Sequence, residues 1–436
     1  MIGLSRTDIH DDAKQSSLQL PSVELQENVH TPVVTGSPPD GGYGWVVAGA
    51  VSTLNCFTWG VAATYGVYLA YYLTSEFPEA TSLDYAFIGS LNFSVAMAVA
   101  PPATILTRRF GKRPVMITGV FAQAGGFIAA SFAKRIWQLY LSQGALIGLG
   151  IGLMFIPSTA VLSQWFEKKR SLAQGIASAG SGIGGLIFGF ATQPMITNIS
   201  LGWALRITGI IVFVTNMVAV LLIRDRNAIV RPPQLGFAIY LLRRYEVLLL
   251  LLWGFIVMLG YMTLLYSLSD FALSIGLSRS QASSLTAFLN LGTLIGRPVI
   301  GLASDRFGRI DLAAWLTLVC SLSIFCIWIP SVTYGPLVFF SLVSGAILGT
   351  FWMTIAPLSA EVAGLREVPS LLSLAWTTII LPVTFAEVIA LNLRRPNASR
   401  PYLYPQIFAG LAYCVAAGFL FELRRVKRRK PSSDTL

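Results

Sequence analysis

Arg109-Phe110-Gly111-Lys112-Arg113 and Asp305-Arg306-Phe307-Gly308-Arg309 are the stretches on which the fold turns, because they set the same Phe-Gly pair among cations 197 residues apart. Each follows a run of apolar residues and precedes another. A glycine at such a place permits tight reversal between two spans, while the flanking cations stay at the level of the lipid headgroups. One short turn written twice implies a chain of two similar halves. Working outward, apolar runs near the roughly 20 residues needed to cross a bilayer lie at 43–67, 85–107, 114–133, 136–163, 171–195, 203–223, 246–269, 281–303, 312–330, 334–358, 368–391 and 403–422. The expected fold is therefore an all-α membrane protein of twelve transmembrane helices, six in each half. Composition agrees, since 54% hydrophobic and 12% charged residues leave too little polar surface to cover a soluble globule.

The 31 Lys and Arg residues fall unevenly about those spans. With both termini in the cytosol, 23 lie on the inside, six outside, and two, Arg206 and Arg297, within spans. The net charge of +11 is thus a topology signal rather than a nucleic-acid footprint. Residues 1–39, polar and without an apolar run, are expected to be a disordered cytosolic tail. The halves are then 40–223 and 246–422, joined by a cytosolic linker at 224–245 that contains Arg231-Pro232-Pro233, and residues 423–436 form a basic cytosolic tail. Repeated six-helix halves with a solute site between them are how many secondary transporters are built.

The segment Asp40-Gly41-Gly42-Tyr43-Gly44-Trp45 resembles the signature of the monocarboxylate transporter family within the major facilitator superfamily. A second block, Trp165-Phe166-Glu167-Lys168-Lys169-Arg170-Ser171-Leu172-Ala173-Gln174-Gly175-Ile176-Ala177-Ser178-Ala179-Gly180, resembles that family's other signature. The similarity runs from residue 40 to about 422, and the first span reads like the family's fungal branch. The resemblance implies the major facilitator fold and alternating access, with Asp305, Arg306, Arg309 and Arg109 at a cytosolic gate. Two departures matter. Animal members that move lactate with a proton carry a lysine in the first span and an aspartate one turn before the eighth-span arginine; here those places hold Ala63 and Thr293. In the first-half turn, Arg108 takes the acidic position.

Arg297 is the most informative single residue, because an arginine within a span is costly unless it faces a cavity or a partner, and its planar fork suits a carboxylate. With Asn290 and Thr293 at i−7 and i−4 it forms one polar face, expected to line a central cavity; the alternative is an arginine neutralised by an acid of the protein. Glu387, in the eleventh span, is either a proton carrier or a structural partner near the outer face. Asn55 is a cavity candidate, whereas Trp376 and Trp352 either stack on a planar solute or pack helices. Tyr65, Tyr68 and Tyr72 form an interfacial belt or a solute-binding wall. The glycines of the fifth span, Gly175 to Gly189, allow a sliding interface or plain tight packing.

His10 and His30 stand in the N-terminal tail, no phosphate-binding loop is present, and all four cysteines fall in predicted spans. No cofactor or metal is expected, and an enzyme has no residues to stand on. The sequons at Asn198 and Asn397 fall in outside loops and are glycosylation candidates. The reading is a multi-pass secondary transporter of the plasma membrane, its partners a small-molecule substrate, the lipid bilayer and protons, with a monocarboxylate or related organic anion as the first choice. A larger, weakly charged metabolite, or a non-transporting sensor with this fold, are the alternatives. Substrate identity, direction, coupling ion and any accessory subunit are not written in these residues.

Overall fold

The computed structural model describes residues 38–75, 82–230, 232–395 and 398–429. Among the described residues the chain is helical, with no strand. The spans are α1 (Tyr43–Leu69), α2 (Ser82–Ala98 with Ala100–Phe110), α3 (Lys112–Ala130), α4 (Ile136–Trp165), α5 (Arg170–Asn198), α6 (Leu201–Leu222), α7 (Tyr245–Ser274), α8 (Arg279–Phe307), α9 (Arg309–Trp328), α10 (Tyr334–Ala363), α11 (Leu365–Leu393) and α12 (Leu403–Arg429). Ten are each long and apolar enough to cross a membrane, and α2 adds an eleventh as a pair bent by 43°. The bend falls where Pro101 and Pro102 remove two backbone donors. The twelfth, α3, falls short of that apolarity, because Arg113, Pro114, Gln123 and three glycines dilute it. The repeated turn explains its place: Gly111 (φ 83°) ends α2 and opens α3, as Gly308 (φ 99°) ends α8 and opens α9. Both glycines adopt a left-handed backbone that a side chain would disfavour.

The two halves meet along α5 and α8, and glycines set the spacing. On one face of α5, a Cβ at Gly180 would come within 1.9 Å of the Ser52 carbonyl oxygen, and one at Gly184 within 2.0 Å of that of Cys56, so this face is welded to α1 of its own half. On another face Gly175 lies against the Arg297 carbonyl, and Gly182 and Gly185 lie against Asn290 of α8. The glycine stripe thus serves tight packing within one half and the seam between halves. Around the outside, exposed Phe121, Phe190, Ile210, Val214, Val299, Trp315 and Leu411 present an apolar surface suited to lipid.

The turns α2–α3, α4–α5 and α8–α9 and the inter-half linker share one face, called the basic face below. Part of the linker is pressed between α2 and α11. The Leu235 amide donates to Ser370 Oγ (3.1 Å), Ser373 Oγ donates to the Gly236 carbonyl (2.7 Å), and Gly236 lies against the Pro101 carbonyl. Tyr240 donates to Glu367, and burial together with that carboxylate pushes its phenol up to about 12.

Two sequence expectations change. The basic tail expected from residue 423 is helical through Arg429, because Arg424 and Arg428, one turn apart, both pair with Asp311 at the start of α9. Tyr68 and Tyr72 are buried, and the Tyr65 hydroxyl donates to the Tyr85 carbonyl, so these rings pack inside the first half rather than forming an interfacial belt. Asp270 is held by Arg394 (3.0 Å) and Tyr402. The expected disordered tail lies outside the described residues except for Pro38 and Pro39.

Candidate functional site

Arg297 lies on α8 about 15 Å from its basic end by the helical rise of ~1.5 Å per residue, and it is 6% exposed. Its Nη1 donates to the Ser178 carbonyl (2.9 Å) and to Ser181 Oγ (3.1 Å), both on α5 across the seam. Tyr261 of α7 lies beside the guanidinium. Gly349 makes the room, since a Cβ there would come within 2.2 Å of one Nη. Gly349 stands where the hydrogen-bond ladder of α10 breaks, between Ile347 and Thr350. Among the described residues no carboxylate reaches Arg297, and its Nε makes no hydrogen bond. A buried guanidinium with neutral partners keeps a donor that an anion could take.

The companions expected on α8 point elsewhere. Thr293 Oγ1 donates to the Gly345 carbonyl (3.0 Å) and ties α8 to α10 within the second half. Asn290 packs on Gly185 of α5. Asn55 donates to the carbonyls of Val51 and Ala177, each at 3.0 Å, and so pins α1 to α5. It stands where α1 opens into a π-helical turn at Cys56–Gly60, which carries Phe57 and Trp59.

Trp59 enters a cluster of rings contributed by both halves. Its ring centroid is 5.0 Å from Phe93, 5.4 Å from Phe155 and 5.8 Å from Trp352. Trp376 is fully buried, stacks on Trp352 (5.7 Å, 16°) and meets Phe155 at 5.3 Å. Tyr261 reaches Trp352 at 6.1 Å, which connects the cluster to Arg297. The indole N–H groups of Trp59 and Trp376 have no acceptor among the described residues. Glu387 is half-buried on α11, with Tyr266 and Asp270 nearby and one carboxylate oxygen unpartnered among the described residues.

At the basic face a carboxylate from each half grips the α4–α5 connection. Asp305 of α8 accepts the backbone N–H groups of Ser171 (3.0 Å) and Leu172 (2.8 Å), free donors in the first turn of α5, and pairs with Arg309 (3.2 Å). Arg309 also donates to the Glu167 carbonyl. Immediately upstream, Asp40 accepts the N–H groups of Glu167 (2.8 Å), Lys168 (2.9 Å) and Lys169 (3.2 Å). Gly42 (φ 58°) turns the chain into α1, the Gly41 carbonyl accepts the Gly44 amide, Gly44 lies on the Phe166 ring, and Trp45 packs on Phe166 at 4.8 Å. The two signature segments are therefore one physical unit. Arg109 and Arg306, expected beside Asp305 and Arg309, are instead exposed and sit over Phe110 and Phe307.

Asn198 ends α5 exposed, with Ser200 of its sequon spent as the N-cap of α6, and Asn397 lies outside the described residues. Sequence reasoning missed Ser178, Ser181, Tyr261, Gly349, Trp59 and Phe155. Only the small-residue stripe on α5 hinted at the serines.

A family model described as Major Facilitator Superfamily matches residues 48–391. The chain is similar to a Saccharomyces cerevisiae protein named probable transporter MCH2, 37% identical over 383 residues, covering 86% of this chain and 81% of that one. A second protein of that yeast, named uncharacterized transporter ESBP6, is 36% identical over 413 residues, covering 90% of this chain and 60% of its own length. The fujikurins efflux protein of Gibberella fujikuroi is 28% identical over 412 residues, covering 90% and 85%.

Proposed function

Since the chain belongs to the Major Facilitator Superfamily and is a multi-pass transporter rather than an enzyme, we propose that its cargo is a small organic anion, a monocarboxylate or close relative, bound at Arg297. The carrying observation is the buried guanidinium with no acid beside it among the described residues. Desolvating a charge is costly, and an anionic ligand offsets that cost while taking the spare Nε donor. Movement follows by alternating access, with Asp305 and Arg309 as the latch of one gate and the α5–α8 seam as the surface that opens. Glu387 is the proton-coupling group. In this reading the basic face and both termini are cytosolic, which the positive-inside rule favours, and the membrane is the plasma membrane.

A second reading, export of a larger and weakly charged metabolite, is favoured by Ala63 and Thr293 standing where proton-lactate carriers have charges, and by the likeness to an efflux protein. Uptake of radiolabelled carboxylates into proteoliposomes, with and without an imposed proton gradient, separates the two when wild type is compared with Arg297→Gln. Saturable, gradient-driven uptake lost in the variant supports the anion symporter. No uptake of any acid by folded, correctly oriented protein overturns it in favour of the neutral cargo.

A further inference from the structure

We propose that the anion carried here is an aryl carboxylate of one or two rings, its carboxylate on Arg297 and its ring between two aromatic walls that meet at the seam. The inference rests on the anion reading of Arg297 and adds the shape of what is attached to the charge. One wall belongs to the first half: Trp59 of α1, Phe93 of α2 and Phe155 of α4. The other belongs to the second: Tyr261 of α7, Trp352 of α10 and Trp376 of α11. The walls touch through Trp59–Trp352 at 5.8 Å and Phe155–Trp376 at 5.3 Å.

Those cross-seam contacts cannot survive a rocking of the halves, because each joins rings fixed to different halves. Once parted, the walls expose flat apolar surface and two indole N–H groups deep in the membrane. A flat π-system inserted there restores ring-to-ring contact on both sides, and acceptor atoms on its edge take the indole donors. The indole N–H groups of Trp59 and Trp376 lack an acceptor among the described residues, as do those of Trp253 and Trp328 outside the walls, so the inference rests on the ring geometry across the seam. Tyr261, beside the guanidinium and in ring contact with Trp352, sets the distance between charge and ring. A short aliphatic acid fills the Arg297 end and leaves the walls unpaired.

The test is competition for transport in proteoliposomes among benzoate, 2-naphthoate, acetate, lactate and benzamide, using wild type, Trp376→Leu and Trp376→Phe. Aryl acids are expected to compete at about tenfold lower concentration than acetate, the scale of one aromatic contact. Trp376→Leu should bring the benzoate-to-acetate potency ratio close to one, a ratio that is read independently of the absolute transport rate. Trp376→Phe, which keeps a ring, guards against a folding artefact and should retain part of it. Equal potency of benzoate and acetate, or an aryl advantage unchanged in Trp376→Leu, overturns the aromatic inference. Equal potency of benzoate and benzamide overturns the anion reading instead.

Discussion

Replacing Asp305 with Asn should open the basic face. The carboxylate accepts two backbone N–H groups from α5 and the Arg309 guanidinium, and its side chain is 7% exposed, so solvent screens these bonds little. An amide of the same size keeps one acceptor oxygen, turns its own N–H groups toward a donor, and cancels the charge that strengthens every bond in the set. Hydrogen bonds to a charged group are worth about 1.5–3 kcal/mol each. Losing one outright and weakening the others gives roughly 3 kcal/mol, or about 100-fold in the closed-to-open ratio. A seam about ten to one closed would become about ten to one open. Spin labels at the exposed positions Lys168 and Arg306, one on each half, would report this by electron–electron distance measurement in nanodiscs, with Cys56, Cys320, Cys326 and Cys414 replaced. The variant should gain a dominant longer distance. A distribution superimposable on wild type would refute the latch.

Asp40→Asn makes the instructive contrast, because it disturbs similar bonds within one half: thermal stability in detergent should fall while the Lys168–Arg306 distance stays put. Gly349→Ala places a methyl within 2.2 Å of the Arg297 guanidinium, and overpacking of about 1–3 kcal/mol should weaken carboxylate binding about tenfold or more in equilibrium binding, with expression preserved. Gly184→Val drives a side chain into the Cys56 carbonyl and should abolish monodisperse elution, whereas Gly189→Ala, with nothing within 4 Å, should be neutral by the same measure.

The spans and the division into halves were legible because the bilayer demands a length and the turn is repeated. Even α3, diluted by polar residues and glycines, was placed by the Phe-Gly turn before it. The side on which each cation acts was not legible. Arg309 reaches Asp305 because the turn at Gly308 brings the start of α9 back to the end of α8, while Arg306, on α8 itself, is rotated about 100° from Asp305, a difference that composition conceals. Arg297 announced itself because a charge in lipid is rare. Ser178, Ser181 and Gly349 did not, since serine and glycine are ordinary packing residues of membrane helices. Both signatures could be read, but not that Asp40 holds residues 167–169, a contact made only once α1 and α5 are packed.

The most direct measurement is equilibrium binding of a radiolabelled carboxylate and its uncharged amide to purified wild type and Arg297→Gln. The account predicts that wild type binds the acid and not the amide, and that the variant loses the acid by about 100-fold, the scale of one hydrogen bond between charged groups. Equal binding of the acid by wild type and variant, with both shown to be folded, would contradict it.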